Sequence, residues 1–310
     1  MKIKLLELIN KLNIKFELEK FVKVDKRKHT YHMVDRSPYP FRLAFITMFM
    51  MIGFVFYINS LFLGGWLFLI SLIFFFKTLT LWFMDVLNEG TLGYHTKKVQ
   101  SMLKWGFALF IVSEIMFFFG FFWAFFHSSL SPTIWIGSTW PPRGINVPIS
   151  TGIPLLNTFL LIFSGLTLTY AQVGMKLGKV KHVHIGFIIT LIYACFFLLF
   201  QLFEYFSLTF NINDSIYGSC FFMLTGFHGF HVIVGTIFIS VTYALFNLGF
   251  FSKTRHLTLN FAAWYWHFVD AVWIFLFAFV YIWGGWKVKL DLNTQIALIE
   301  GLIELFITKA

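Results

Sequence analysis

Lys77, Glu114, His127, Glu204, His228, His231, His267 and Asp270 all fall inside stretches of sequence otherwise suited to hydrocarbon. An ionisable side chain at the bilayer centre costs roughly 2.5–3.5 kcal/mol on insertion scales, so each needs a reason to be there. Glu114 is the most telling, in the run Ile111-Val112-Ser113-Glu114-Ile115-Met116-Phe117-Phe118-Phe119. A carboxyl among phenylalanines reads first as a polar pin hydrogen-bonded to a neighbouring helix, and second as a group that handles protons. His228 and His231 stand at i and i+3 on one helix face, and His267 and Asp270 repeat that spacing. In the second pair the carboxylate is placed to fix the histidine's tautomer.

Histidines sharing a face raise the question of a metal or haem. No two of the ten histidines are adjacent, and Cys195 and Cys220 do not form a ligand pair. Neither a ferredoxin-like nor a c-haem signature occurs. Spacing alone leaves a bis-histidine haem between helices open. The expectation is nevertheless hydrogen-bonded core histidines, buried thiols and no metal bound by this chain.

The elements that must position these groups are seven apolar segments, near 41–60, 62–84, 103–127, 153–175, 184–206, 217–247 and 261–284. A hydrocarbon core of ~30 Å needs ~20 apolar residues as helix, and each segment meets that length. The fold class is therefore an all-α membrane protein with seven transmembrane helices. A chain that is 58% hydrophobic and 12% charged, with 45 phenylalanines, cannot bury that surface in water by itself. Of its 24 Lys and Arg residues, 11 precede residue 43, while the connection between the third and fourth segments carries Arg143 alone. That asymmetry puts the N-terminus on the cytoplasmic or matrix side and the C-terminus opposite. The formal charge of +10 is then an orientation signal with anionic-lipid contact, rather than a nucleic-acid footprint.

The ends differ from the middle. Leu5, Leu8, Ile9, Leu12 and Phe16 line one face of an amphipathic N-terminal extension, residues 1–28. Leu298, Ile299, Leu302, Ile303 and Phe306 do the same in the C-terminal extension, 286–310. Between segments, Trp140-Pro141-Pro142-Arg143-Gly144 and Trp264-Tyr265-Trp266-His267-Phe268-Val269-Asp270 suit the membrane interface. Interfacial anchoring accounts for the aromatics but not for the whole combination.

The combination resembles a known family. His29-Thr30-Tyr31-His32-Met33-Val34 with Ser37-Pro38-Tyr39-Pro40, Ser113-Glu114 through His127-Ser128-Ser129-Leu130, Trp140-Pro141-Pro142 and Pro154-Leu155-Leu156-Asn157-Thr158 are similar to blocks of mitochondrial cytochrome c oxidase subunit III. So are Gln201-Leu202-Phe203-Glu204-Tyr205, Asp214-Ser215-Ile216-Tyr217-Gly218-Ser219, Thr225-Gly226-Phe227-His228-Gly229-Phe230-His231-Val232 and Ala262-Ala263-Trp264 onward to Asp270. The blocks are collinear over roughly 29–285.

The resemblance implies two helices (29–90) standing apart from a five-helix bundle (91–285), with a phospholipid-filled cleft between. It implies no haem or copper in this chain, those centres lying in partner subunits, and a place in the mitochondrial inner membrane with the N-terminus in the matrix and the C-terminus in the intermembrane space. Subunits I and II are the implied partners, with accessory subunits at the two extensions. The complex it points to oxidises cytochrome c, reduces oxygen to water and pumps protons, this subunit stabilising the catalytic one and assisting proton and oxygen access. Glu114 matches the family's carbodiimide-reactive carboxyl, with Glu204, His228, His267 and Asp270 as further intramembrane polar residues. Glu89, His95, Tyr217 and His231 match positions at lipid headgroups of the cardiolipin, phosphatidylethanolamine or phosphatidylglycerol type.

Two departures matter. The family's Trp-Trp-Arg-Asp is Trp82-Phe83-Met84-Asp85 here, and the basic residues expected after helix six are Asn247-Leu248-Gly249. Headgroup binding is then weaker, or rebuilt from Lys97 and Lys98. Two rival readings remain. A proton-coupled transporter relaying through Glu114, Glu204 and Asp270 would favour internal repeats, and none is evident in seven spans. A scaffold without influence on proton traffic is the other.

Overall fold

Hydrocarbon offers backbone amides no partner, so a chain crossing it must satisfy them within each segment. In the computed structural model, which describes residues 31–285, it does so as helix throughout. Helix α1 spans Tyr39–Ile58, α2 Gly64–Thr91, α3 Lys97–Leu130, α4 Ile153–Leu177, α5 Val180–Ser207, α6 Ile216–Asn247 and α7 Leu257–Leu276. A π-helical turn, Phe277–Trp283, continues α7, and a 3₁₀ turn, Ile134–Ile136, lies in the α3–α4 connection. Seven helices, the last counted through Trp283, are long and apolar enough to cross a membrane. The amphipathic extensions expected at 1–28 and 286–310 lie outside the described residues, as does His29 of the first resembling block.

Several helices outrun the apolar segments that announce them. The segment expected at 62–84 is helical to Thr91, and the one at 103–127 runs from Lys97 to Leu130. Hydropathy registers only the part in hydrocarbon, whereas backbone hydrogen bonding continues into the polar layer; α3 is about 51 Å long at ~1.5 Å per residue. Helix starts follow local chemistry. Pro40 and Pro154 occupy first turns, where a missing N–H costs nothing. The Ser215 hydroxyl caps α6 by accepting from Gly218 N at 3.2 Å. Gly178, at φ +72°, closes α4 in the left-handed region that favours glycine.

The described residues fall into two compact units, one up to Trp105 and one from Gly106 onward. In the first, α1 and α2 form a helical hairpin joined through Asn59–Leu63. Its interface is close because Gly53 has no side chain: a Cβ there would lie 2.6 Å from Phe68 N. Tyr39 donates to Asp85 across the pair at 2.6 Å.

In the second unit α4 pairs with α5, α5 with α6, and α6 and α4 with α7. The last span is the hub, half of its most apolar window being buried against 6% for α1. Two indoles fasten it to α4. Trp266 Nε1 donates to Ser164 Oγ at 2.8 Å and Trp273 Nε1 to Thr158 Oγ1 at 3.0 Å, and both hydroxyls pass their own protons to carbonyls one turn back. Phe107, Phe110, Phe117 and Phe118 of α3 pack against Phe261, Tyr265, Phe227 and Phe268. Cys220 is buried as expected, but Cys195 is exposed, on an outward face of α5 that linear sequence does not distinguish from the inward one.

Between α4 and α5 the backbones meet at Gly186, where a Cβ would lie 2.7 Å from both Ala171 Cβ and Thr167 O. Gly186→Val is expected to cost about 1–3 kcal/mol by overpacking, read as a lower thermal midpoint in lipid nanodiscs. Gly120 has nothing within 4 Å of its virtual Cβ. Gly120→Ala should leave the midpoint unchanged or raise it, by up to about 1 kcal/mol of helix propensity.

Candidate functional site

Glu114 projects from the middle of α3 and meets His231 of α6, with Glu114 Oε2 2.8 Å from His231 Nε2. The other ring nitrogen, Nδ1, lies 2.7 Å from the Phe227 carbonyl oxygen. A carbonyl only accepts, so Nδ1 carries a proton. Nε2 then has two states available: it accepts from a neutral carboxyl, or as imidazolium it donates to a carboxylate. One proton is shared between two helices. Phe118, Phe117 and Tyr265 surround the imidazole at ring-centroid distances of 5.0, 6.1 and 6.4 Å, leaving it 7% exposed. The contact joins α3 to α6 through a carboxyl and an imidazole.

His228, one turn earlier, does not join them. It is buried against Phe197 and Trp273, and its Nε2 donates to the Val269 carbonyl at 3.2 Å. The i, i+3 spacing therefore sends two histidines to different helices, α7 and α3, and they do not converge on a common point. His267 and Asp270 do approach, Nδ1 to Oδ2 at 3.7 Å, an ion-pair distance rather than a hydrogen bond. His267 Nε2 reaches Thr169 Oγ1 at 3.2 Å, and Gly165 makes room for the acid, since a Cβ there would lie 2.5 Å from Asp270 Oδ2.

Glu204 is deeper than either acid. Both carboxyl oxygens lack hydrogen-bond partners among the described residues, as do Gln201 Nε2, Asn157 Oδ1, Tyr217 OH and Tyr281 OH. An orphaned buried polar group costs about 1–3 kcal/mol, and these six atoms are more than half of the ten unpartnered buried side-chain polar atoms among the described residues. Tyr217, expected at a lipid headgroup, is fully buried among Phe210, Phe221 and Trp140. His231, expected there too, turns both nitrogens inward to protein acceptors or donors. Sequence places both residues near the membrane but does not reveal which way the helix faces them.

In the first unit, Glu89 and His95 come together, His95 Nε2 lying 4.0 Å from Glu89 Oε2. Gly90 lets the imidazole fold back onto α2, and Gln100 Nε2 donates to the His95 carbonyl at 2.9 Å. Sequence reasoning missed the third member, His32, whose Nε2 is 3.7 Å from the same carboxylate oxygen. Its position in the His29–His32 block, next to a chain entry into α1, was the available signal. Among the described residues these form the one group of three or more His, Cys, Asp or Glu side chains whose potential ligand atoms gather within 4.8 Å. Two imidazoles and a carboxylate would suit a divalent cation, and the carboxylate equally suits an ammonium headgroup. Burial, then the neighbouring His32, holds the His95 pKa below its ordinary 6.5. A second feature lies on the α1–α2 surface: a groove of about 480 Å³ lined by Phe41, Phe45, Phe74 and Leu81, with Arg42 and Lys77 at its polar points. Lys97 and Lys98 are exposed at the start of α3.

Comparison with known proteins decides the family. The family model described as cytochrome c oxidase subunit III matches residues 29–285. The chain belongs to the cytochrome c oxidase subunit III family. It is 49% identical over 263 residues to "Cytochrome c oxidase subunit 3" of Triticum aestivum, covering 84% of this chain and 99% of the relative. The protein of that name in Arabidopsis thaliana is 48% identical over the same shares, and that of Prototheca wickerhamii 50% identical over 260 residues. The family is one of helical membrane subunits of the oxidase, as the seven helices found here require.

Two measurements check this geometry. Glu114→Gln keeps a donor for His231 Nε2 and should hold the thermal midpoint, whereas Glu114→Leu strands a buried imidazole and should lose about 1–3 kcal/mol. For His95, the unfolded chain binds a proton below pH ~6.5 while the folded site resists it, so stability rises with pH there. As pH falls from 7 to 5, the protection of amides across residues 88–100, taken relative to their intrinsic exchange rates at each pH, should fall, and His95→Gln should flatten the part due to this ring.

Proposed function

We propose that this chain is a core subunit of cytochrome c oxidase in the mitochondrial inner membrane, docked on subunits I and II and carrying no redox centre of its own. The observation that carries the reading is the collinear family match over 29–285 on a chain of seven membrane-length helices. The N-terminus lies in the matrix and the C-terminus in the intermembrane space, a reading supported by the Lys and Arg asymmetry of the connections. Haem a and copper are held by partner subunits, and this chain supplies support, lipid and proton handling.

The residues divide that labour by their chemistry. The Glu114–His231 pair holds a proton between α3 and α6 in a surround of aromatic rings, and its two protonation arrangements differ only by transfer across 2.8 Å. Such a pair stabilises the bundle at no cost in net charge and exchanges protons with a donor that reaches it. Glu89 and His95 receive a headgroup, with an ammonium the natural partner of the carboxylate. The positive charge for a lipid phosphate that is missing after Trp82 is supplied by Arg42 and Lys77, whose groove also holds acyl chain between Phe41, Phe45 and Phe74.

Purification of the chain from native membranes should bring haem a absorbance with it in stoichiometric amount, and a haem-free preparation would overturn the membership of the complex. The oxidase carrying Glu114→Gln should keep its haem content but show reduced turnover or proton stoichiometry. Unchanged values would favour the purely structural scaffold.

A further inference from the structure

One buried set of polar groups plays no part in the function above. Asn157 comes from the first turn of α4, Gln201 and Glu204 from the last two turns of α5, Tyr217 from the first turn of α6, and Tyr281 from the π-helical turn ending α7. All belong to the second unit, at the end of the bundle nearest the α5–α6 connection. All five are buried: Glu204 is 3% exposed, Gln201 6%, Tyr281 1%, and Asn157 and Tyr217 not at all. The widened π turn is what brings Tyr281 inward, a departure from α-helix of the kind found at working sites.

Their atoms are near one another yet unpaired. Asn157 Nδ2 donates to Gln201 Oε1 at 3.3 Å, which occupies one half of each amide. The remaining halves, both Glu204 oxygens and the two phenol hydroxyls have no hydrogen-bond partner. The Tyr281 hydroxyl approaches Gln201 and Glu204, and Glu204 acts electrostatically on Tyr217, but neither approach meets hydrogen-bond geometry. The gaps therefore separate complementary groups. An amide N–H and two phenol O–H groups are thus buried with unpartnered carboxyl and amide oxygens, and the one Phe221 ring lies 5.4 Å from Tyr281 and 6.0 Å from Tyr217. A molecule that donates two hydrogen bonds, accepts two and needs no more room than a small gap satisfies such a set. Water has that chemistry.

We propose that Asn157, Gln201, Glu204, Tyr217 and Tyr281 form a built site for internal water, with the Glu204 carboxyl as its principal ligand. The water closes a hydrogen-bonded junction between α4, α5, α6 and the end of α7. It sets Glu204 apart from Glu114, which has a protein partner for its proton where Glu204 has solvent.

The test is pulsed radiolytic footprinting of the intact oxidase, mixed into H₂¹⁸O just before exposure. Hydroxyl radicals made from resident water label the side chains beside it, even where bulk solvent does not reach. Tyr217 and Tyr281 should be oxidised several-fold faster, after correction for intrinsic reactivity, than Phe187 and Phe197, which are equally buried but lie away from the cluster. Slow exchange of the resident water would show as retained ¹⁶O in the label. Tyrosines labelled no faster than those phenylalanines would mean a dry cluster and overturn the proposal. In the complex carrying Glu204→Leu the tyrosine labelling should fall to the phenylalanine level, and labelling that persists there removes Glu204 as the water ligand. If that variant does not assemble, the wild-type rates and the shape-preserving Glu204→Gln, expected to keep most of the label, decide the matter.

Discussion

In this bundle a polar group inside the bilayer has no water to fall back on, and the architecture follows from how each one is answered. Backbone amides are answered within their own helices. Side chains must be answered across helices, so the hydrogen bonds of Trp266, Trp273, His228 and Glu114 are also the joints that position α3, α4, α6 and α7. Hydrophobic burial sets little of this, because lipid is as apolar as the phenylalanines that face it. Close approach at Gly186 and directional bonds decide which faces meet.

That constraint sorts the intramembrane acids into three environments. Glu114 is paired with a histidine and partly exposed. Asp270 sits against His267 at ion-pair distance, with the imidazole itself exposed. Glu204 is enclosed with phenols and amides and has no titratable base beside it. Three carboxyls that look alike as interruptions of apolar sequence thus differ in who can take their proton. A single relay through all three, as a transporter would need, finds no support in that arrangement, since each is tied to different neighbours.

The first unit follows another logic. Its helices bury little of themselves, and most of their surface is left to lipid or to partner subunits. Its charged groups are correspondingly at the edges: His32, Glu89 and His95 around one carboxylate, Arg42 and Lys77 along one groove.

Seven helices, their class and their approximate places were legible in the chain, because hydrocarbon imposes a length and a composition that no other environment asks for. Glu114 was legible for the same reason, as an expensive group that had to have a partner. Its partner was not, since nothing in the His228–His231 spacing tells which imidazole turns to α3 and which to α7. Tyr217 and His231 read as headgroup contacts from their place in the motifs, yet helix rotation buries both. His32 joined Glu89 and His95 only through the fold-back of the chain entering α1. Sequence determines what must be hidden from hydrocarbon, because that cost is local; which group answers which is a matter of helix rotation and crossing, and only the tertiary structure decides it.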